Sequence, residues 1–105
     1  MAAQFPFNDL HSFKDYVGFV RMCAPELFPA REGVGPEDQW TTKLAFRGLR
    51  YGLAMAVEEK GPKPAFFRCA ELVDKAEGLY QVGDLRGGFS CLSEVKLLLS
   101  GIRTK

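Results

Sequence analysis

Three basic side chains on one line are the most pointed chemical feature of this chain. Lys43, Arg47 and Arg50 are four and then three residues apart, which on a helix sets them in one strip. A line of cations can hold phosphate or an acidic protein surface. The competing assignment is a solvated helix edge, neutralised by carboxylates from elsewhere in the fold. Other candidates for chemistry lack partners at a useful spacing. His11 is the single histidine and stands in a polar setting, so it reads as structural or solvated. Cys23, Cys69 and Cys91 form no CxxC pair, and each falls on an apolar helical face. They read as small core hydrophobes, since nothing nearby in sequence would lower a thiol pKa. Glu58 and Glu59, and Glu71, Asp74 and Glu77, are carboxylates at helical spacing without a Glu-x-x-His pattern. The glycine-rich run Gly83-Asp-Leu-Arg-Gly-Gly88 follows no strand and has no Lys-Ser/Thr after it, so it reads as a helix turn and not a phosphate cradle. We therefore expect no catalytic residue, no metal and no cofactor.

The elements that must position these residues follow from size and patterning. At 105 residues, 47% apolar and net charge +1, the chain is long enough for one domain with its own core. High apolar content with near-zero net charge excludes disorder, and the neutral balance argues against a dedicated nucleic-acid binder. No run approaches the ~18 apolar residues of a membrane span, and the first nine residues lack the pattern of a secretory leader. Odd, unpatterned cysteines suit a reducing cytoplasm.

Seven Val, one Ile and three Thr against abundant Leu and Ala predict helices throughout. The expected architecture is all-α: a four-helix domain with helices over 10–24, 36–60, 64–82 and 85–100. A long loop joins the first two, and an αα-hairpin closes the C-terminal end. Asp9 and Ser12 compete to cap the first helix, which Pro25 ends. Pro36, followed by Glu37 and Asp38, reads as the opening of the second, which Gly61-Pro62 stops. Trp40, Leu44, Tyr51 and Met55 would make one apolar face of this helix. Ala45, Phe46, Leu49, Leu53 and Ala56 would make a nearly opposite one, which predicts a central position. Gly48, Gly52 and Ala56, spaced by four, mark a strip where another helix packs closely. In the third helix Phe66, Cys69, Ala70, Leu72, Val73, Ala76, Leu79 and Tyr80 share one broad face. Leu85, Phe89, Leu92, Val95, Leu98 and Leu99 should be the buried stripe of the fourth, and the tail 103–105 should fray.

The stretch from Ala70 to Phe89, with Gly83-Asp84 at its turn, resembles a tetratricopeptide-repeat helical hairpin over about residues 66–100. Aligned on that turn, the family's small positions fall on Ala76 and Gly88, and its large apolar positions on Leu72, Leu79, Leu92 and Val95. Lys75 departs, standing where the repeat has Leu. An array would repeat every ~34 residues, but 34 residues before Gly83 lies Leu49, inside the second helix, so a tandem array is excluded. The resemblance implies an αα-hairpin and an interaction scaffold, and it carries over no peptide-binding residue.

Together these observations favour a non-enzymatic protein–protein interaction module of adaptor, immunity- or antitoxin-like inhibitor, or chaperone type. The alternative is a helical nucleic-acid-associated protein using the basic strip. The expected working surface combines the 25–35 connection, whose Leu27 and Phe28 would form an apolar centre, with Lys43, Arg47 and Arg50 as a polar rim. Phe5, Phe7 and Phe67 are further candidates for exposure. The rival for Phe28 is a place in the core.

Overall fold

The computed structural model describes residues 5–24, 26–31, 33 and 35–103. Pro25 and Val34, read as parts of the long connection, and Thr104 and Lys105, read as a frayed tail, lie outside the described residues. Four α-helices carry the fold: α1 (Leu10–Cys23), α2 (Thr42–Lys60), α3 (Pro64–Gln81) and α4 (Leu85–Ser100). There is no strand among the described residues. Each helix packs on its sequence neighbours, and α4 returns to α1, so the four close a ring. The result is a flattened body of 36 × 32 × 19 Å.

Asp9 caps α1. Its carboxylate accepts the Ser12 backbone N–H at 2.9 Å, while Ser12 Oγ accepts the Asp9 N–H at 3.3 Å. The reciprocal pair therefore joins Asp9 to Ser12. One more donor of that first turn, the Leu10 N–H, goes to Glu59 Oε1 at 2.9 Å, tying the start of α1 to the end of α2. Between them lies the predicted close approach. A Cβ on Gly52 would collide with the Phe13 ring, and one on Gly48 with the Tyr16 hydroxyl and Phe5. The Tyr16 O–H donates to the Ala45 carbonyl of α2 at 2.9 Å.

The second helix begins later than the sequence suggests. Pro36–Asp38 makes one 3-10 turn, the chain is extended again at Gln39, and Thr41 caps α2 by accepting the Leu44 N–H at 3.0 Å. Trp40 therefore lies outside the helix, and the second apolar face is only partly covered: Tyr51 is exposed and Leu44 and Met55 are half-buried, while Ala45, Phe46, Leu49, Leu53 and Ala56 enter the core. With neighbours only in α1 and α3, α2 is one side of the ring and not its centre.

Gly61 ends α2 at φ +88° and Pro64 opens α3. The α3–α4 hairpin turns at Gly83, φ +87°, and Asp84 caps α4 by accepting the Gly87 N–H at 2.9 Å. This pair makes the most extensive helix contact of the molecule. Where α4 crosses α3, Gly88 stands against the ring of Tyr80, whose atoms a Cβ would meet at 2.6–2.8 Å. The small residue thus faces an aromatic one. The buried stripe of α4 is Gly88, Cys91, Leu92, Val95 and Leu99; Leu85 and Phe89 lie outside it, as does Ala70 on α3.

Candidate functional site

Phe5 and Phe7, expected at the surface, are half-buried on the core. They begin a continuous chain of rings. Phe5 and Phe7 contact Tyr51 and Tyr16, Tyr16 contacts Phe19, and Phe19 contacts both Trp40 and Phe28. Phe28 stacks on Trp40 with centroids 6.0 Å apart. Such contacts contribute on the order of 0.5–1.5 kcal/mol each beyond burial. Phe28 is therefore an anchor of the loop, whereas its neighbour Leu27 is 74% exposed.

A side-chain amide closes the same loop. Gln39 Oε1 accepts the Arg31 N–H at 2.7 Å, and Gln39 Nε2 donates to the Arg31 carbonyl at 2.9 Å. This two-bond clamp imitates a backbone pair and lays the Arg31 guanidinium over Trp40, 5.1 Å from the ring centroid. Pro6, Asp15, Tyr16, Phe19, Arg31 and Trp40 line an open hollow of about 470 Å³ beside it.

The chain then enters α2, and the three basic residues of the strip part company. Arg50 is committed to α3. Its Nε and Nη2 donate to Asp74 Oδ1 at 3.2 and 2.8 Å, and Nη2 donates to Glu77 Oε1 at 2.7 Å. Burial opposes its charge, but the hydrogen bonds to Asp74 and Glu77 outweigh that and raise its pKa. The Arg50–Asp74 pair is largely open to water, so it contributes about 0–1 kcal/mol. Lys43 and Arg47 are exposed and, among the described residues, make no ion pair. One turn past Arg47, Tyr51 is 58% exposed. The strip that faces solvent is thus Lys43, Arg47 and Tyr51. Sequence reasoning had assigned Tyr51 to an apolar face, and its spacing of four from Arg47 was the available signal.

Local electrostatics disfavours this arrangement. Lys43 lies in the first turn of α2, where the helix dipole repels a cation by on the order of 0.3–1 kcal/mol. Like charges one turn apart cost on the order of a further 0.2–0.5 kcal/mol.

The remaining sequence candidates stay apart. His11 is exposed, and Cys69 and Cys91 are buried while Cys23 is half-buried. Burial, then the charge of Glu94, pushes the Cys69 thiol up to about 11, and burial raises that of Cys23. Among the described residues no group of three or more His, Cys, Asp and Glu side chains could hold a metal ion, and no helix is long and apolar enough to cross a membrane. No family model, no curated protein and no solved structure matches the chain.

Proposed function

We propose that this chain is a non-enzymatic protein–protein interaction module that presents Lys43, Arg47 and Tyr51 to an acidic surface of a partner. The observation that carries the reading is the cation pair Lys43 and Arg47, which makes no ion pair among the described residues, followed by an exposed tyrosine. Residues that violate their own helix's electrostatic preference concentrate where function requires them. Arg and Tyr are also the side chains enriched at binding hot spots. Leu27 and the clamped loop supply apolar surface before the same helix. Three free thiols suit work in a reducing cytoplasm.

The test has two stages. Tagged wild-type chain and an Arg47→Glu variant are used to capture partners from the native host, and the partner that discriminates between them is purified. Its association rate is then measured across salt concentrations. Arg47→Glu should slow association and flatten the salt dependence, and Tyr51→Ala should speed dissociation. A partner that binds wild type and both variants alike would refute this surface. Binding of RNA or DNA with a steep salt slope lost in Arg47→Glu would instead establish the nucleic-acid reading.

A further inference from the structure

A second group of cations lies on a different face, at the seam of α1 and α4. Lys14, Gly18 and Arg21 follow one another along a strip of α1, and Ser93 and Lys96 come from α4. All five are half-buried. A Cβ built on Gly18 would stand 3.5 Å from both Nζ and Cε of Lys96, so the lysine lies across the gap that this glycine leaves. Arg21 Nη1 donates to Ser93 Oγ at 3.3 Å, and the guanidinium rests over Phe89, 4.9 Å from its centroid. The Arg21 Nε is buried and has no hydrogen-bond partner among the described residues. Lys14 is used structurally, its Nζ donating to the Ile102 carbonyl at 2.6 Å.

Among the described residues no carboxylate answers these charges. Neither Arg21 nor Lys96 makes an ion pair among the described residues. Glu94 reaches Arg68 of α3 at 3.6 Å, Asp15 lines the hollow by Trp40, and Glu26, past the end of α1, is exposed. A half-buried guanidinium with an unused donor and a half-buried ammonium on the same seam are each costly to leave unmatched.

We propose that Arg21, Ser93 and Lys96 form a binding site for a phosphomonoester group. Two positive charges and a hydroxyl match a dianion with three acceptor oxygens, whereas one carboxylate would neutralise only half the charge. Phe89 fixes the plane of the guanidinium, leaving its edge for the ligand. An anion oxygen brought into the seam would supply the acceptor that the Nε lacks. The inference uses none of the residues of the α2 strip and stands or falls without it.

The full chain is titrated calorimetrically with inorganic phosphate, with a short phosphoserine peptide and with the unphosphorylated peptide. Its melting temperature is read in phosphate and in chloride at matched ionic strength. Phosphate should bind saturably and raise the melting temperature above its value in chloride, and the unphosphorylated peptide should not bind. Equal affinity for the two phosphate probes identifies the free anion as sufficient; a much tighter peptide identifies a phosphorylated segment. Lys96→Met should weaken either by about tenfold, the worth of one charge-assisted hydrogen bond. Gly18→Asp places a carboxylate in the seam beside Lys96, and should raise the melting temperature in chloride while abolishing phosphate binding. Gly18→Asn, of the same shape without the charge, should keep that binding. Equal stabilisation by phosphate and chloride, wild-type affinity in Lys96→Met, or wild-type affinity in Gly18→Asp would each overturn the proposal.

Discussion

Tyr16 concentrates several roles in one side chain. Its ring joins the aromatic chain, and its hydroxyl crosses from α1 to a carbonyl of α2 at the point where Gly48 makes room. Tyr16→Phe should destabilise the fold at neutral pH by about 0.5–1.5 kcal/mol, the worth of one hydrogen bond, as read from a urea midpoint. Burial, partly offset by the charge of Arg31, also raises its pKa far above the ordinary value of 10.0. A group whose folded pKa is raised keeps its proton longer in the native state. The associated stability is complete below about pH 10 and is lost as pH climbs beyond it. Wild type should therefore lose stability in that range and Tyr16→Phe should lose less; equal slopes would show that the phenol ionises without opening the fold. The thiols give a second expectation at this scale. Under reducing conditions a maleimide should label half-buried Cys23 well before Cys69 and Cys91, and a faster Cys69 would contradict its depth and its pKa of about 11. The sequence placed Tyr16 on the apolar face of its helix, and rightly. Which acceptor its hydroxyl would find depends on the rotation of α2 about its own axis, and no local spacing encodes that.

Helices were legible because their punctuation is local. Pro64, Gly61, Gly83 and Asp84 act within a turn of their own position, and the predicted ends of α3 and α4 lie within a residue of those observed. The start of α2 was not legible for the opposite reason. Pro36-Glu37-Asp38 has the composition of a helix opening, but Trp40 is drawn against Phe19 and Phe28, and the Gln39 side chain is taken up by the Arg31 backbone. Tertiary packing from α1 and the loop stops the helix after one turn, and Thr41 restarts it. Glycines test the packing of whole elements. Gly52→Ala should lower stability by about 1–3 kcal/mol, since the added methyl meets the rigid Phe13 ring. Gly78→Ala, on an exposed part of α3 with nothing within 4 Å, should raise it by about 0.5–1 kcal/mol. Two chemical-denaturation curves decide the matter, and a Gly52→Ala variant as stable as wild type or more so would mean that α1 does not press on α2 as described.

At the scale of the molecule, a net charge of +1 conceals how the charge is distributed. Arg50 and Arg68 are matched by carboxylates, while Lys43, Arg47, Arg21 and Lys96 are not, among the described residues. The first strip could be read from spacing within one helix. The seam could not, because Arg21 and Lys96 lie far apart in the chain and share a seam only when α4 closes the ring on α1. The same ring sets a hierarchy of stability. In hydrogen exchange, the buried amides of the α3–α4 hairpin around Val73, Ala76, Leu92 and Val95 should be the slowest, because that pair shares the most contact. Amides of the 26–31 segment should be the fastest to open. A loop protected as well as the hairpin would mean that its clamp and ring stack belong to the global cooperative unit.

Trp40 is the single tryptophan of the chain, and it sits where the loop, α1 and Arg31 converge. Selectively excited indole emission therefore reports one place only. Release of the Gln39 clamp would lift the guanidinium from the ring and admit water, reddening the spectrum and exposing it to iodide quenching. Any ligand that grips or loosens this loop would announce itself as a change of colour in unlabelled protein, while the helices need not move at all.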